Sequence, residues 1–217
     1  VIDVEERGHV RIAHWRAGDN RLNPESVAEW HALLDELTRA RGPLALVLTG
    51  EGKFFSNGFD LKRFEAEPEI AAPVVASSTR LFGRLLTFPA YTVAAINGHA
   101  FAAGAMLASS CDVRVMRQGR GYWCLPEVDL GLPIPFDLFT LLGAHVPKPA
   151  LLDAMVTARR YSADEALALG IVERAVPEDR VLDEAVALAE AMAEKNRKII
   201  AMHKELIFGE TARICGA

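Results

Sequence analysis

The run "LALVLTGEGKFFSNGFDL", residues 44–61, joins two stretches with opposite demands. Leu44 to Thr49 is a continuous apolar run, as a strand buried on both faces should be. Residues 52–61 instead mix the turn formers Gly52, Ser56, Asn57 and Gly58 with Phe54, Phe55 and Phe59, which favour burial. A solvent loop has no need of three phenylalanines, and a core strand is weakened by glycines. The combination predicts a backbone bent tightly over a buried apolar pocket at the end of a strand.

The flanking sequence supplies the rest of an α/β pattern. Residues 1–15 alternate as two short strands turning at Gly8. "NPESVAEWHALLDELTRARG" (23–42) predicts a helix capped by Asn23, with Pro24 in its first turn and Gly42 after its end. A second helix is predicted over 72–88, ending before Pro89. "TVAAI" (92–96) is another buried strand, followed by a turn and a small-residue helix within "NGHAFAAGAMLASSCD". "VRVM" (113–116) and "GYWC" (121–124) read as strands. From Pro133 onward helices dominate, one opening in a Ser162/Glu165 capping box. Repeated strand–turn–helix units predict a parallel sheet. Late helices with apolar faces predict an oligomer.

Composition excludes several function classes. The chain has 217 residues, 51% of them hydrophobic, and a formal net charge of -5. The acidic balance argues against nucleic acid as the main partner, which needs a basic face. No apolar run has the roughly 18 residues of a membrane span. The opening "VIDVEERG" has no leader pattern, although no Met precedes it. Cys111, Cys124 and Cys215 are too few and scattered for a disulfide framework or zinc site, and the six histidines lack metal-ligand spacing. No nucleotide-binding glycine motif is present. These features predict a reducing, cytoplasmic setting and no metal.

Three segments carry the candidate chemistry. The loops at 52–61 and 96–106 each follow a buried strand, contain glycine and lead into a helix. In parallel sheets such loops gather where ligands bind, and two N–H groups converging there form an oxyanion hole. The third segment is "YWCLPEVDLGLPIP" (122–135), where apolar neighbours make Glu127 expensive to ionise and suit it to act as a general base. Asp129 and Asp137 are rival acids. Asp60 reads as a helix cap, Asp112 as a structural hydrogen-bond or ion-pair former, His99 as a loop histidine bonded to backbone, and Met106 and Met116 as core filler.

At "LVLTGEGKFFSNGFDL", "TVAAINGHAFAAGAMLASSCDVRV", "LPEVDLGLP" and "ARRYSADEALALGIVERAVP" the chain resembles the crotonase superfamily, the enoyl-CoA hydratase/isomerase family. The resemblance runs from about residue 9 to 208. It implies a crotonase-like α/β spiral of ββα units, with a core at 1–140 and a helical trimerisation region at 141–217, forming a trimer or dimer of trimers. It further implies an acyl-CoA thioester substrate, a place in fatty acid β-oxidation, and no cofactor beyond the coenzyme A of the substrate. Carried over by position, the oxyanion donors are the N–H groups of Phe59 and Ala103. Asn57, Gly58, Leu61 and Gly104 fall at CoA- and acyl-binding positions.

The family's hydratases carry two glutamates, whereas this sequence matches only the second, Glu127. Met106 stands at the position of the first. Holding and activating water generally takes both carboxylates, while moving a double bond takes one base. The resemblance is therefore closest to the enoyl-CoA isomerase branch, with 3-enoyl-CoA converted to trans-2-enoyl-CoA. Open alternatives are a hydratase aided by Asp129 or Asp137, another crotonase-type reaction, and a non-catalytic acyl-CoA-binding protein. Arg21, Lys62, or Lys204 from a neighbouring subunit are candidates for the CoA phosphates.

Overall fold

The computed structural model describes all 217 residues. Its larger sheet begins with β1 (Ile2–Arg7) and β2 (Val10–Trp15), an antiparallel pair hinged at Gly8. Helix α1 (Pro24–Arg39) follows. Asn23 caps it by accepting from the Ser26 amide, and the Ser26 hydroxyl accepts from the Asn23 amide in return. Strands β3 (Ala45–Gly50), β5 (Tyr91–Ile96), β7 (Val113–Arg117) and β9 (Arg174–Val176) complete the sheet in the order β1-β2-β3-β5-β7-β9, parallel from β2 onward.

Period-two alternation sorts the apolar runs between two layers. Val10, Ile12, Ala45, Val47, Val93, Ala95 and Val115 face α9 (Val181–Ala193), which meets them with Val181, Ala185 and Ala189. Leu46, Leu48, Ala94, Ile96 and Met116 face the opposite layer, where α1 and α3 (Ala71–Leu86) pack. Both faces of the central strands are thus dry, which is why their sequences do not alternate between apolar and polar.

A second, three-stranded parallel sheet stands beside the first. Strands β4 (Phe54–Ser56), β6 (His99–Phe101) and β8 (Trp123–Cys124) pair in that order. Each follows a strand of the larger sheet after a tight turn and leads toward a helix: α2 (Leu61–Ala66), α4 (Ala103–Ser109) and α5 (Glu127–Leu130). This is the expected ββα spiral. Its strands β3, β5 and β7 begin at residues 45, 91 and 113, so no fixed sequence period betrays the repeat.

The structure differs from the sequence expectations in its smallest elements. Residues 99–101, read as a turn, form β6, and the strand at 121–124 contracts to two residues. Strand β9 had no counterpart among the expectations. The remaining helices are α6 (Phe136–Gly143), α7 (Lys148–Thr157), α8 (Ala163–Ala168) and α10 (Arg197–Ile214). The Ser162/Glu165 capping box opens α8 as expected.

Lys204 of α10 does not reach outward toward a phosphate. It is buried, paired with Asp112 at 2.9 Å, and also donates to the Ala90 carbonyl. Asp112 in turn accepts from the Thr92 amide at 2.8 Å, so one carboxylate ties α10 to the start of β5. No helix is long and apolar enough to cross a membrane.

Candidate active site

The site is built where β4, β6 and β8 end. After Ser56 the chain turns through Asn57 and Gly58, whose φ of +73° is a left-handed conformation that glycine adopts without strain. A Cβ on Gly58 would stand 3.0 Å from both the Ala102 Cβ and the Phe101 carbonyl oxygen, and 3.3 Å from the Ala103 nitrogen. One on Gly104 would lie 2.3 Å from the Ser56 carbonyl oxygen. The two glycine-bearing loops therefore touch backbone to backbone, and neither position has room for a side chain.

Buried polar groups fix this turn. Asn20, fully buried and left-handed at φ +50°, donates to the carbonyls of Phe54 and Phe55. The Ser56 hydroxyl donates to the Asn20 carbonyl at 2.7 Å and accepts from the Gly58 amide. Leu22 then bridges the far side, donating to the Gly58 carbonyl and accepting from the Asp60 amide. The amide between them, that of Phe59, donates to no protein group.

The second loop reaches a similar state by strain. Ala102 has φ +51° and ψ -125°, a region that costs a residue with a Cβ on the order of 1–3 kcal/mol. That kink turns the chain into α4, and the amide of Ala103, its first residue, has no acceptor in the protein. First-turn amides of a helix point outward unpaired. Two free N–H groups thus flank the contact between the loops.

Glu127 opens the one-turn helix α5, which closes at Gly131 in the left-handed conformation. Its Oε2 is buried and has no hydrogen-bond partner. Burial holds its carboxyl above the ordinary carboxylate range. It lines a cavity of about 540 Å³ whose walls are mainly apolar, with Phe59, Phe64, Met106, Ile134 and Leu138 among them. Asn57, Leu61 and Arg21 also border this cavity. Arg21 donates to the Phe59 carbonyl and to Asp19, which braces the same loop.

Several expected candidates fall elsewhere. Asp129 is exposed on α5 and does not line the cavity. Asp137 is turned to its own helix start, accepting from the Leu138 amide at 2.8 Å. Neither lines the cavity with Glu127: Asp129, two residues on, falls on the opposite side of α5, and the Pro133–Pro135 bend leads Asp137 into α6. Lys62 also lies outside the cavity lining. Asp60 caps α2 through the Arg63 amide. His99 makes no backbone hydrogen bond through Nδ1, contrary to the sequence reading; its ring stacks between Phe101 and Tyr122. Met106 is buried as expected but also forms part of the cavity wall.

The family model for enoyl-CoA hydratase/isomerase matches residues 12–213. The chain belongs to the enoyl-CoA hydratase/isomerase family. It is 39% identical over 210 residues, 93% of this chain and 81% of the relative, to a Thermus thermophilus protein named "Putative enoyl-CoA hydratase". It is 33% identical over 222 residues, 97% of this chain and 93% of the relative, to enoyl-CoA delta isomerase 3 of Arabidopsis thaliana. The structure of an apo enoyl-CoA isomerase of Mycobacterium tuberculosis superposes with a TM-score of 0.89 at 27% identity, covering 99% of this chain and 94% of that one. The same mycobacterial protein has also been described as a probable enoyl-CoA hydratase.

Family membership makes the chain an enzyme of the hydratase or isomerase kind with the crotonase fold. Two features of this family site escaped the sequence reading. The Asn20–Ser56 strut is invisible locally because its partners lie 36 residues apart. The strain at Ala102 carries no compositional mark, since glycine, the usual residue for that conformation, is absent there.

Proposed function

We propose that this enzyme moves the double bond of a 3-enoyl-CoA thioester to the trans-2 position. The observation that carries the reading is the isolation of Glu127, a half-buried carboxylate whose enclosed Oε2 has no partner, in a largely apolar cavity where Met106 fills the place of a second acid. The Glu127 carboxylate takes a proton from C2, and the C–H electron pair moves into a dienolate that places negative charge on the thioester oxygen. The N–H groups of Phe59 and Ala103 receive that oxygen. Glu127, now protonated, returns the proton to C4 as the C2–C3 double bond forms. Atoms and charge balance without any cofactor.

Magnitudes support a division of labour. An oxyanion donor contributes on the order of 10²–10³ in rate and a positioned base roughly 10²–10⁴. A carboxyl raised by burial is a stronger base than an exposed one. Met106 excludes water that would otherwise protonate the dienolate or add to C3 of the conjugated product. Asn57, Leu61 and Gly104 sit where the CoA arm would run, with Arg21 as the cation at its edge. The helical region at 141–217 would assemble trimers, supported by exposed Leu206 and Ile207 on α10.

The Thermus relative's name favours a second reading, hydration of the 2-enoyl thioester. Single-turnover kinetics with trans-3-hexenoyl-CoA and trans-2-hexenoyl-CoA separate the two. Conjugation of the first, lost in Glu127→Gln, with no hydration of the second, is the expected result. Rapid hydration of the second would overturn the isomerase reading.

A further inference from the structure

The small sheet has two ends, and the acyl cavity occupies only its carboxyl end. At the amino end lies a second cavity, of about 680 Å³, roughly 10 Å away across one three-residue strand. Its walls are the turns that enter β4, β6 and β8: Gly52 and Lys53, Gly98 and His99, and Gly119 to Tyr122. These turns pack with almost no side chain between them. A Cβ on Gly98 would lie 2.2 Å from the Lys53 carbonyl oxygen, and one on Gly121 would lie 3.0 Å from the Gly98 backbone.

The charge in this cavity opposes that of the whole chain. Lys53, Arg117 and Arg120 line it against a single acid, Glu178. Arg117 holds that acid at 2.6 Å through Nη2, yet its Nε is buried and has no acceptor. His99 Nδ1 is likewise buried and unpartnered. The imidazole stacks on Tyr122 with ring centroids 5.6 Å apart, while Arg160 lies over the adjoining Phe101 ring. Burial, followed by the charges of Lys53, Arg160 and Arg117, holds His99 below its ordinary pKa. Buried polar nitrogens without partners are rare because each costs free energy, and two belong to residues that line this one cationic cleft.

We propose that this cleft is a second ligand site, which binds a phosphate-bearing polyanion of the diphosphate class. Three cations facing one acid leave an excess positive charge that a monocarboxylate would not balance. Lys53, Arg117 and Arg120 offer charged donors, and Gly52 and Gly119, where a Cβ would meet nothing within 4 Å, let phosphate oxygens approach bare peptide. The site does not depend on the isomerase reading, since it shares no lining residue with the acyl cavity.

Calorimetric titration of the intact enzyme with inorganic pyrophosphate at constant ionic strength tests this, with the His99 imidazole followed by NMR. The expected result is saturable binding and an upward move of the His99 titration midpoint, because a bound anion offsets Lys53, Arg117 and Arg160. Arg120→Gln, a surface change, should weaken binding by tenfold or more, and Arg117→Gln should do the same. Arg21→Gln, at the acyl cavity, should leave the His99 response intact. A His99 signal unmoved by millimolar pyrophosphate would overturn the proposal. So would an equal response to chloride at matched ionic strength, or full retention of binding in Arg120→Gln.

Discussion

At the scale of single residues, Glu127 reconciles two opposed requirements. Its buried Oε2 has no partner, so the ionised carboxylate is held at a cost to folding that the proposed proton transfer would exploit. Because its folded pKa is raised, the native state binds more protons than the unfolded chain between the ordinary carboxylate pKa and the raised one. Stability contributed by this group is therefore lost as pH climbs through that window. Glu127→Gln should raise Tm at neutral pH, by about 2–4 °C for each kcal/mol relieved, while lowering turnover roughly 10²–10⁴-fold. In the wild type, kcat/KM should fall as pH drops through the raised pKa. A pH–rate profile together with a melting curve checks both. The apolar setting of Glu127 was legible in the sequence from its neighbours, and so was the burial of Met106. The rivals Asp129 and Asp137 were not separable from it, because only three-dimensional placement turns them away.

At the scale of elements, the site depends on short strands that hold two loops together. Ser56 is fully buried, and its hydroxyl links Asn20 to the Gly58 amide. Ser56→Ala leaves a buried carbonyl and a buried amide unpaired, a loss of roughly 1–3 kcal/mol. Tm should fall accordingly, and kcat should fall more than KM rises, because the Phe59 amide loses its orientation. Unchanged kcat with lowered Tm would mean the strut is only structural. A second element-scale test concerns α10. Lys204→Met leaves Asp112 partly buried without its cation, a loss of about 3–5 kcal/mol; the double change with Asp112→Asn should recover part of it, which denaturant titration would read. The long helices and central strands were plain in the sequence from caps and apolar runs. Strands β4, β6 and β9, of three residues each, were read as loop or turn or missed because so short a segment has no period to display, and β8 was expected at twice its two residues.

At the scale of the whole molecule, one ββα spiral places the Glu127 cavity and the two free amides at the carboxyl end of the small sheet and a cationic cleft at the other. The repeat was hidden from the sequence by the unequal intervals between its turns, and it became an expectation only through resemblance. Apolar exposure concentrates on the later helices: Leu206 is 83% exposed, Ile207 68%, Phe136 70% and Leu152 64%. Exposed patches of this kind usually mark an interface. Sedimentation should show a trimer or a dimer of trimers, with Leu206→Glu shifting it toward smaller species. A wild-type chain that sediments as a monomer at micromolar concentration would contradict that assembly.

The most direct test of the central claim follows one proton. Trans-3-hexenoyl-CoA carrying deuterium at both C2 positions is converted in a single turnover, and the label in the product is located by NMR and mass spectrometry. If Glu127 alone shuttles the proton in a cavity kept dry by Met106, deuterium appears at C4 of the trans-2 product, and Glu127→Gln forms little product. A 3-hydroxyacyl product, or a trans-2 product with only solvent hydrogen delivered to C4, would contradict the one-base mechanism.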